Sequence, residues 1–186
     1  LASIGLIVAV TSALATRLER PASTRRWIPA AVAVILIGPL AAATAHQARD
    51  YASAETLYRA TIRRNPSAWL AHNNLAVLLL PHGVDEAMGH LETALRLNPG
   101  YAEAHNNRGL ALQLLGRYGE AERAHAEALR LEPAFADAQN NLGTALVKLG
   151  RPEEAVGAYR EALRLRPDFF QAHANLGDAL MALNRP

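Results

Sequence analysis

The side chains best placed to do chemistry in this chain are amides. Asn73 and Asn74, Asn106 and Asn107, and Asn140 and Asn141 occur as adjacent pairs in the near-identical words "AHNNLAVLL", "AHNNRGLAL" and "AQNNLGTAL", and Asn175 stands alone in "AHANLGDAL". Asparagine is a poor helix former, so its return at an almost constant interval calls for a use. Each amide carries both donors and an acceptor. Aligned on one face, such groups bond either one another or the main chain of an extended peptide, whatever the peptide's sequence.

Other chemistry is thin. The chain has no cysteine, which excludes disulfides, structural thiolate zinc sites and thiol catalysis. His72, His105 and His173 recur at one place in the repeated words. Stacked helical units lie about 10 Å apart, too far for one metal to bridge, so these rings are expected to pack. His125 and Arg108 stand where the other units carry apolar or aromatic residues, and mark either a looser unit or a contact with a partner. No glycine-rich phosphate loop, metal-ligand pair, paired-carboxylate arrangement or nucleophile motif occurs. No catalytic residue, metal or cofactor is expected in this segment.

The elements that must carry the amides announce themselves by period. Pro66, Pro99, Pro133 and Pro167 recur at nearly equal spacing, and each follows an apolar helical pattern such as "EALRLRP". A period of about 34 with two helices per unit is the signature of a solenoid. Small residues recur where two helices must cross closely: Ala76, Gly109, Gly143 and Gly177 in the first helix, and Ala54, Ala87, Ala121 and Ala155 in the second. A further series, Thr61, Ala94, Ala128 and Ala162, follows, and larger residues such as Leu79, Leu112, Leu146, Tyr58, Leu91 and Tyr159 fill the layers between. The proline ends each second helix by forcing its predecessor out of the helical region.

Position by position these units resemble the tetratricopeptide repeat, with the small residues at its eighth, twentieth and twenty-seventh positions and the proline at its thirty-second. The resemblance implies an all-α solenoid of helix-turn-helix repeats, each of about 34 residues, over 47–186. Its parts are a half repeat at 47–68, repeats at 69–101, 102–135 and 136–169, and a truncated repeat at 170–186. The first full unit is one position short, and is expected to lose it between Gly83 and Ala87. In this frame Asn74, Asn107, Asn141 and Asn175 take the sixth position and Asn73, Asn106 and Asn140 the fifth, on the face lining the concave surface. The arrangement is similar to the asparagine ladder of O-linked N-acetylglucosamine transferase, which holds acceptor polypeptide. Asparagine at the sixth position also serves in such repeats to bond neighbouring units, and both uses stay open. Repeats that clamp a C-terminal carboxylate use lysine and arginine at the second, fifth and sixth positions. Here the second is Leu70, Glu103, Asp137 and Gln171, so that clamp is missing.

Charge and hydropathy separate the chain into two parts. Residues 17–26, "RLERPASTRR", carry a net +3, whereas residues 46–186 carry 15 Lys/Arg against 16 Asp/Glu. No basic stripe with aromatics runs along the long part, so no nucleic-acid partner is expected. The basic loop is flanked by two uncharged runs, 1–16 and Trp27–Ala45. At 1.5 Å per residue the second run reaches about 28 Å, the depth of a bilayer's hydrocarbon core. The expectation is the end of a transmembrane helix at 1–16, a cytoplasmic loop at 17–26 and a transmembrane helix at 27–46, kinked at Gly38-Pro39. "ALA" at 13–15 is the mark of the alternative, a signal peptide whose positive start is not seen. Arginine-rich short loops stay cytoplasmic, which puts the array on the extracytoplasmic side, periplasmic or lumenal.

Counting back from Pro66, "ILIGPLAAATAHQAR" becomes the first helix of the half repeat, so the membrane helix is expected to run directly into the solenoid. Leu1 in place of methionine, and a first helix with nothing to cover it before Pro186, suggest a piece of a longer protein. This architecture resembles membrane-embedded O-mannosyltransferase-like proteins, whose catalytic acidic loop would lie upstream of this segment. The resemblance implies a membrane-tethered module for protein–protein interaction that holds extended protein or peptide in its groove for a multispan glycosyltransferase. A non-catalytic membrane-anchored scaffold of an envelope or secretion complex is the alternative.

Overall fold

The structure is a computed structural model that describes residues 53–183, together with Pro39. Residues 54–182 form eight helices: α1 (Ala54–Arg64), α2 (Trp69–Leu79), α3 (Val84–Leu97), α4 (Ala102–Leu114), α5 (Tyr118–Leu131), α6 (Ala136–Lys148), α7 (Pro152–Leu165) and α8 (Phe170–Ala182). No strand occurs among the described residues. None of their helices is long and apolar enough to cross a membrane. The spans expected at 1–16 and 27–46, the loop 17–26 and the junction into the solenoid lie outside the described residues, apart from Pro39, which is helical and exposed.

Each helix packs on its neighbour in sequence, so α2–α3, α4–α5 and α6–α7 form successive hairpins with α1 and α8 at the two ends. The first helices of neighbouring hairpins also touch, α2 on α4, α4 on α6 and α6 on α8, whereas the second helices do not touch one another. A stack held closer on one side curves toward that side. The first helices therefore line the concave surface, which is where the asparagines are.

Close approach within each hairpin depends on side-chain size at two facing positions. Ala76 of α2 shares a core with Leu91 of α3. In the next two hairpins the ring of His125 or Tyr159 presses on the helix opposite, and only glycine leaves room. A Cβ built on Gly109 would lie 2.4 Å from His125 Cε1, and one on Gly143 would lie 2.5 Å from Tyr159 Cε1. The alanines of the second helices, Ala87, Ala121 and Ala155 with Ala94, Ala128 and Ala162, are all fully buried. Such small, dry contacts give the density that van der Waals attraction needs.

The turns follow from local chemistry. Asn98, Glu132 and Arg166, each preceding a repeat proline, have φ between −138° and −135° and ψ between 85° and 92°, the extended conformation that a following proline imposes. Within the second and third full hairpins the first helix closes on a left-handed glycine, Gly116 (φ 72°) and Gly150 (φ 75°). The N–H of Arg117 then donates to Leu112 O at 2.8 Å and that of Arg151 to Leu146 O at 2.9 Å, the Schellman closure.

The first hairpin departs from this, and corrects one expectation. Gly83 stands to Ala87 as Arg117 stands to Ala121, and both Gly83 and Arg117 are N-caps. The missing position therefore lies ahead of Gly83. Helix α2 is 11 residues long against 13 in α4, because Pro81 has no N–H with which to continue it.

Candidate functional site

Three amide bonds tie successive units together. Asn107 Nδ2 donates to Asn73 Oδ1 at 3.0 Å, Asn141 Nδ2 to Asn106 Oδ1 at 3.1 Å, and Asn175 Nδ2 to Asn140 Oδ1 at 2.9 Å. In every case the sixth-position amide of one unit reaches the fifth-position oxygen of the unit before. Asn74 begins the series by donating to the Tyr58 hydroxyl at 3.4 Å. Cross-unit bonding thus consumes one end of each amide.

The other ends differ between units. In the first and third, the fifth-position nitrogen donates to its own neighbour, Asn73 Nδ2 to Asn74 Oδ1 at 3.2 Å and Asn140 Nδ2 to Asn141 Oδ1 at 3.4 Å. The middle unit has no such bond. Asn106 Oδ1 accepts from His125 Nδ1–H at 3.0 Å as well as from Asn141, so both its lone pairs are used. Asn106 Nδ2 is then left as a free donor and Asn107 Oδ1 as a free acceptor, although the two residues are only 4% and 6% exposed. Neither atom is sealed from solvent. A free donor beside a free acceptor matches the carbonyl and N–H of one peptide unit.

Both residues line a groove of about 850 Å³. Its floor is Asn106, Asn107, Asn140 and Asn141; Asn73, Asn74 and Asn175 do not line it. Leu110 and Leu131 give it apolar walls, and Glu103, Asp137 and Gln171 of the second position stand along it. Tyr101, Phe135 and Phe169 form an aromatic edge. Sequence reasoning misses that edge, although an aromatic residue stands immediately before each first helix in "GYAEA", "AFADA" and "DFFQA". Burial and the carboxylate of Glu103, to which it donates, hold the Tyr101 hydroxyl above its ordinary pKa, so it stays a neutral donor.

The fourth-position histidines have a shared task that the sequence does not disclose. His72, His105 and His173 donate from Nε2 to the carbonyl oxygens of Pro66, Pro99 and Pro167 at 3.2, 2.9 and 2.8 Å. Each pins the start of a first helix to the turn behind it. His72 is buried as expected, but His105 is half-buried and His173 exposed, so hydrogen bonding accounts for the series better than packing. Among the described residues no group of three or more ligand-type side chains is arranged to hold a metal.

His125 is the unusual member of the site. It is fully buried, its Nε2 has no partner, and burial depresses its pKa from 6.5 to about 4. Arg108 likewise has a buried Nε without a partner. With Nδ1–H committed to Asn106, the neutral ring needs no second donor site, whereas protonation would bury an N–H with no acceptor. The unfolded chain takes up a proton below about pH 6.5 that the folded chain refuses until about pH 4. The contribution of the neutral ring to stability is therefore complete above pH 6.5 and is lost as pH falls toward 4, an effect on the order of 3 kcal/mol. His125→Phe should remove that slope. The check is the difference between the urea-unfolding free energies of wild type and variant at about pH 7 and about pH 4.5, which should shift in favour of the variant at the lower pH.

Comparison with known proteins agrees with the repeat fold. Family models described as TPR repeat match residues 84–116 and 143–184, and models described as tetratricopeptide repeat match 102–135 and 40–84. The last begins within the stretch expected to form the first helix of the half repeat. No curated protein sequence matches the chain. Among solved structures, the first TPR of Spaghetti (RPAP3) bound to the HSP90 peptide SRMEEVD is 26% identical, with a TM-score of 0.60, over 62% of this chain and 93% of that one. YrrB, a TPR protein with an unusual peptide-binding site, is 27% identical with a TM-score of 0.60 over 68% and 66%. TTC0263, a thermophilic TPR protein of Thermus thermophilus, is 28% identical with a TM-score of 0.60 over 69% and 71%.

Proposed function

Because the chain belongs to the tetratricopeptide-repeat proteins, we propose that it is a protein-interaction module whose concave groove holds extended polypeptide through the peptide main chain. The observation that carries this reading is the pair of uncommitted amide atoms, Asn106 Nδ2 and Asn107 Oδ1, on the floor of the groove. Each main-chain hydrogen bond contributes a net of roughly 0.5–1.5 kcal/mol, so two amide contacts with burial on the aromatic edge give weak, sequence-tolerant holding rather than tight recognition.

The groove does not suit the ligand of the RPAP3 relative, whose peptide SRMEEVD is acidic at its C-terminal end. Glu103, Glu132 and Asp137 line it, and asparagines stand at the fifth and sixth positions where a carboxylate clamp has cations. Titrated by fluorescence anisotropy, a labelled neutral unstructured peptide should bind the chain at least about tenfold more tightly than SRMEEVD. Tighter binding of the acidic peptide would sink this part of the reading.

The setting proposed for the groove is the extracytoplasmic face of a membrane, as the acceptor-holding C-terminal part of a multispan O-glycosyltransferase-like protein. It is supported by the uncharged run Trp27–Ala45 behind the arginine-rich loop 17–26 and by the sequence-tolerant character of the groove. A non-catalytic membrane-anchored scaffold would use the same groove. Reporter fusions at residue 100 are expected to score as extracytoplasmic, and a cytoplasmic score overturns the tethered topology for both.

A further inference from the structure

The junction between the third full repeat and the truncated one shows how this fold seats a cation, and the junction before it, between the second and third repeats, lacks one. Arg166, the residue before a repeat proline, lies with its guanidinium 4.1 Å from the centroid of the Phe169 ring and donates to the carboxylate of Asp137. One repeat earlier the aromatic and the acid are both kept. Phe135 is the counterpart of Phe169 and Glu103 that of Asp137, but Glu132 replaces the arginine. A position that supplies the cation at one junction supplies a second anion at the other.

Glu103, Glu132 and Phe135 line the same groove as Asn106 and Asn107. Glu103 accepts only the Tyr101 hydroxyl, and neither glutamate has an ion pair among the described residues. The two asparagines are more than nine-tenths buried, line that space, and each keeps one amide atom without a partner in the fold. Two independent signs of a ligand therefore coincide: an unfilled copy of an occupied cation seat, and unsatisfied amide atoms beside it.

We propose that Glu103, Glu132 and Phe135 form a seat for a lysine or arginine side chain of the polypeptide whose main chain lies on Asn106 and Asn107. The inference rests on the peptide-holding reading and adds a preference to it. The incoming cation takes the place that Arg166 takes one repeat later, over the aromatic face and between carboxylates. Neighbouring side chains of an extended peptide point to opposite sides, so the residues flanking the cation are left free and the groove stays tolerant of them. Arg166, already resident at the next junction, keeps a second cation out.

The test is an anisotropy titration of the full chain with a labelled serine- and alanine-rich peptide bearing one central lysine, and with its glutamine counterpart. The lysine peptide should bind about five- to tenfold more tightly at low salt, and that preference should shrink as salt rises. Glu132→Arg, an exposed substitution that copies the later junction, should abolish the preference, so that the lysine and glutamine peptides bind with equal affinity. Glu132→Gln should give an intermediate preference. Equal binding of both peptides to the wild type, or an equal loss of both in Glu132→Arg, overturns the cation seat and leaves main-chain holding standing. Failure of every peptide to bind overturns the holding reading and the seat with it.

Discussion

Gly143→Ala should lower the stability of the array by about 1–3 kcal/mol, although alanine is by itself the better helix former by about 1 kcal/mol. The new methyl would lie 2.5 Å from Tyr159 Cε1 and 2.8 Å from Cδ1 and Cζ, inside any tolerable carbon–carbon distance. Tyr159 is buried and packed among Leu146, Ala155 and Val156, so the ring cannot swing away without opening the hairpin. Gly177 is the built-in control. It holds the same repeat position, but a Cβ there meets nothing within 4 Å, and Gly177→Ala should be neutral or stabilise by up to about 1 kcal/mol. Urea melts of the two variants give the comparison, and equal shifts would contradict the account of close hairpin packing.

Asn107→Ala is expected to uncouple units rather than unfold one helix. It removes the donor to Asn73 Oδ1, an atom on a fully buried side chain, and an orphaned buried acceptor costs about 1–3 kcal/mol. In a stacked array stability is a sum of unit terms and nearest-neighbour interface terms. The loss should therefore appear at the α2–α4 contact, as a broader melt and as earlier hydrogen exchange in α1–α3 than in α6–α8. Asn175→Ala should cost less, because Asn175 is only half-buried. Uniform loss of protection along the chain would show that the amide bond does not act as a stitch between units.

This alters how a binding experiment with these asparagines must be read. Asparagine at the fifth and sixth positions is legible in sequence as either a peptide ladder or a bond between units, and the structure gives the sixth-position nitrogens the second role. The amide atoms of the paired asparagines left wholly unbonded are Asn106 Nδ2 and Asn107 Oδ1. That asymmetry comes from His125, whose ring takes the Asn106 oxygen in the one unit where neither leucine nor tyrosine fills the twenty-fourth position. No periodic argument can locate it, because it is a departure from the period. The all-α repeat architecture, by contrast, is legible, since prolines and paired small residues are requirements of backbone sterics. The lost position ahead of Gly83 is misplaced by a repeat alignment because an alignment counts residues, whereas the turn is decided by Pro81. The aromatic edge of Tyr101, Phe135 and Phe169 escapes the pattern because its residues lie outside the amphipathic helices on which the pattern is built.

The most direct measurement is an ester scan of one bound peptide. Each main-chain amide of a labelled, extended, groove-binding peptide is replaced in turn by an ester, which deletes one N–H and weakens one carbonyl acceptor while leaving the side chains unchanged. Main-chain holding predicts that affinity drops about two- to tenfold at one or two adjacent positions, those facing Asn107 Oδ1 and Asn106 Nδ2, and is unchanged elsewhere. If every ester analogue binds as well as the parent peptide, the amides do not hold the chain and the groove reads side chains alone.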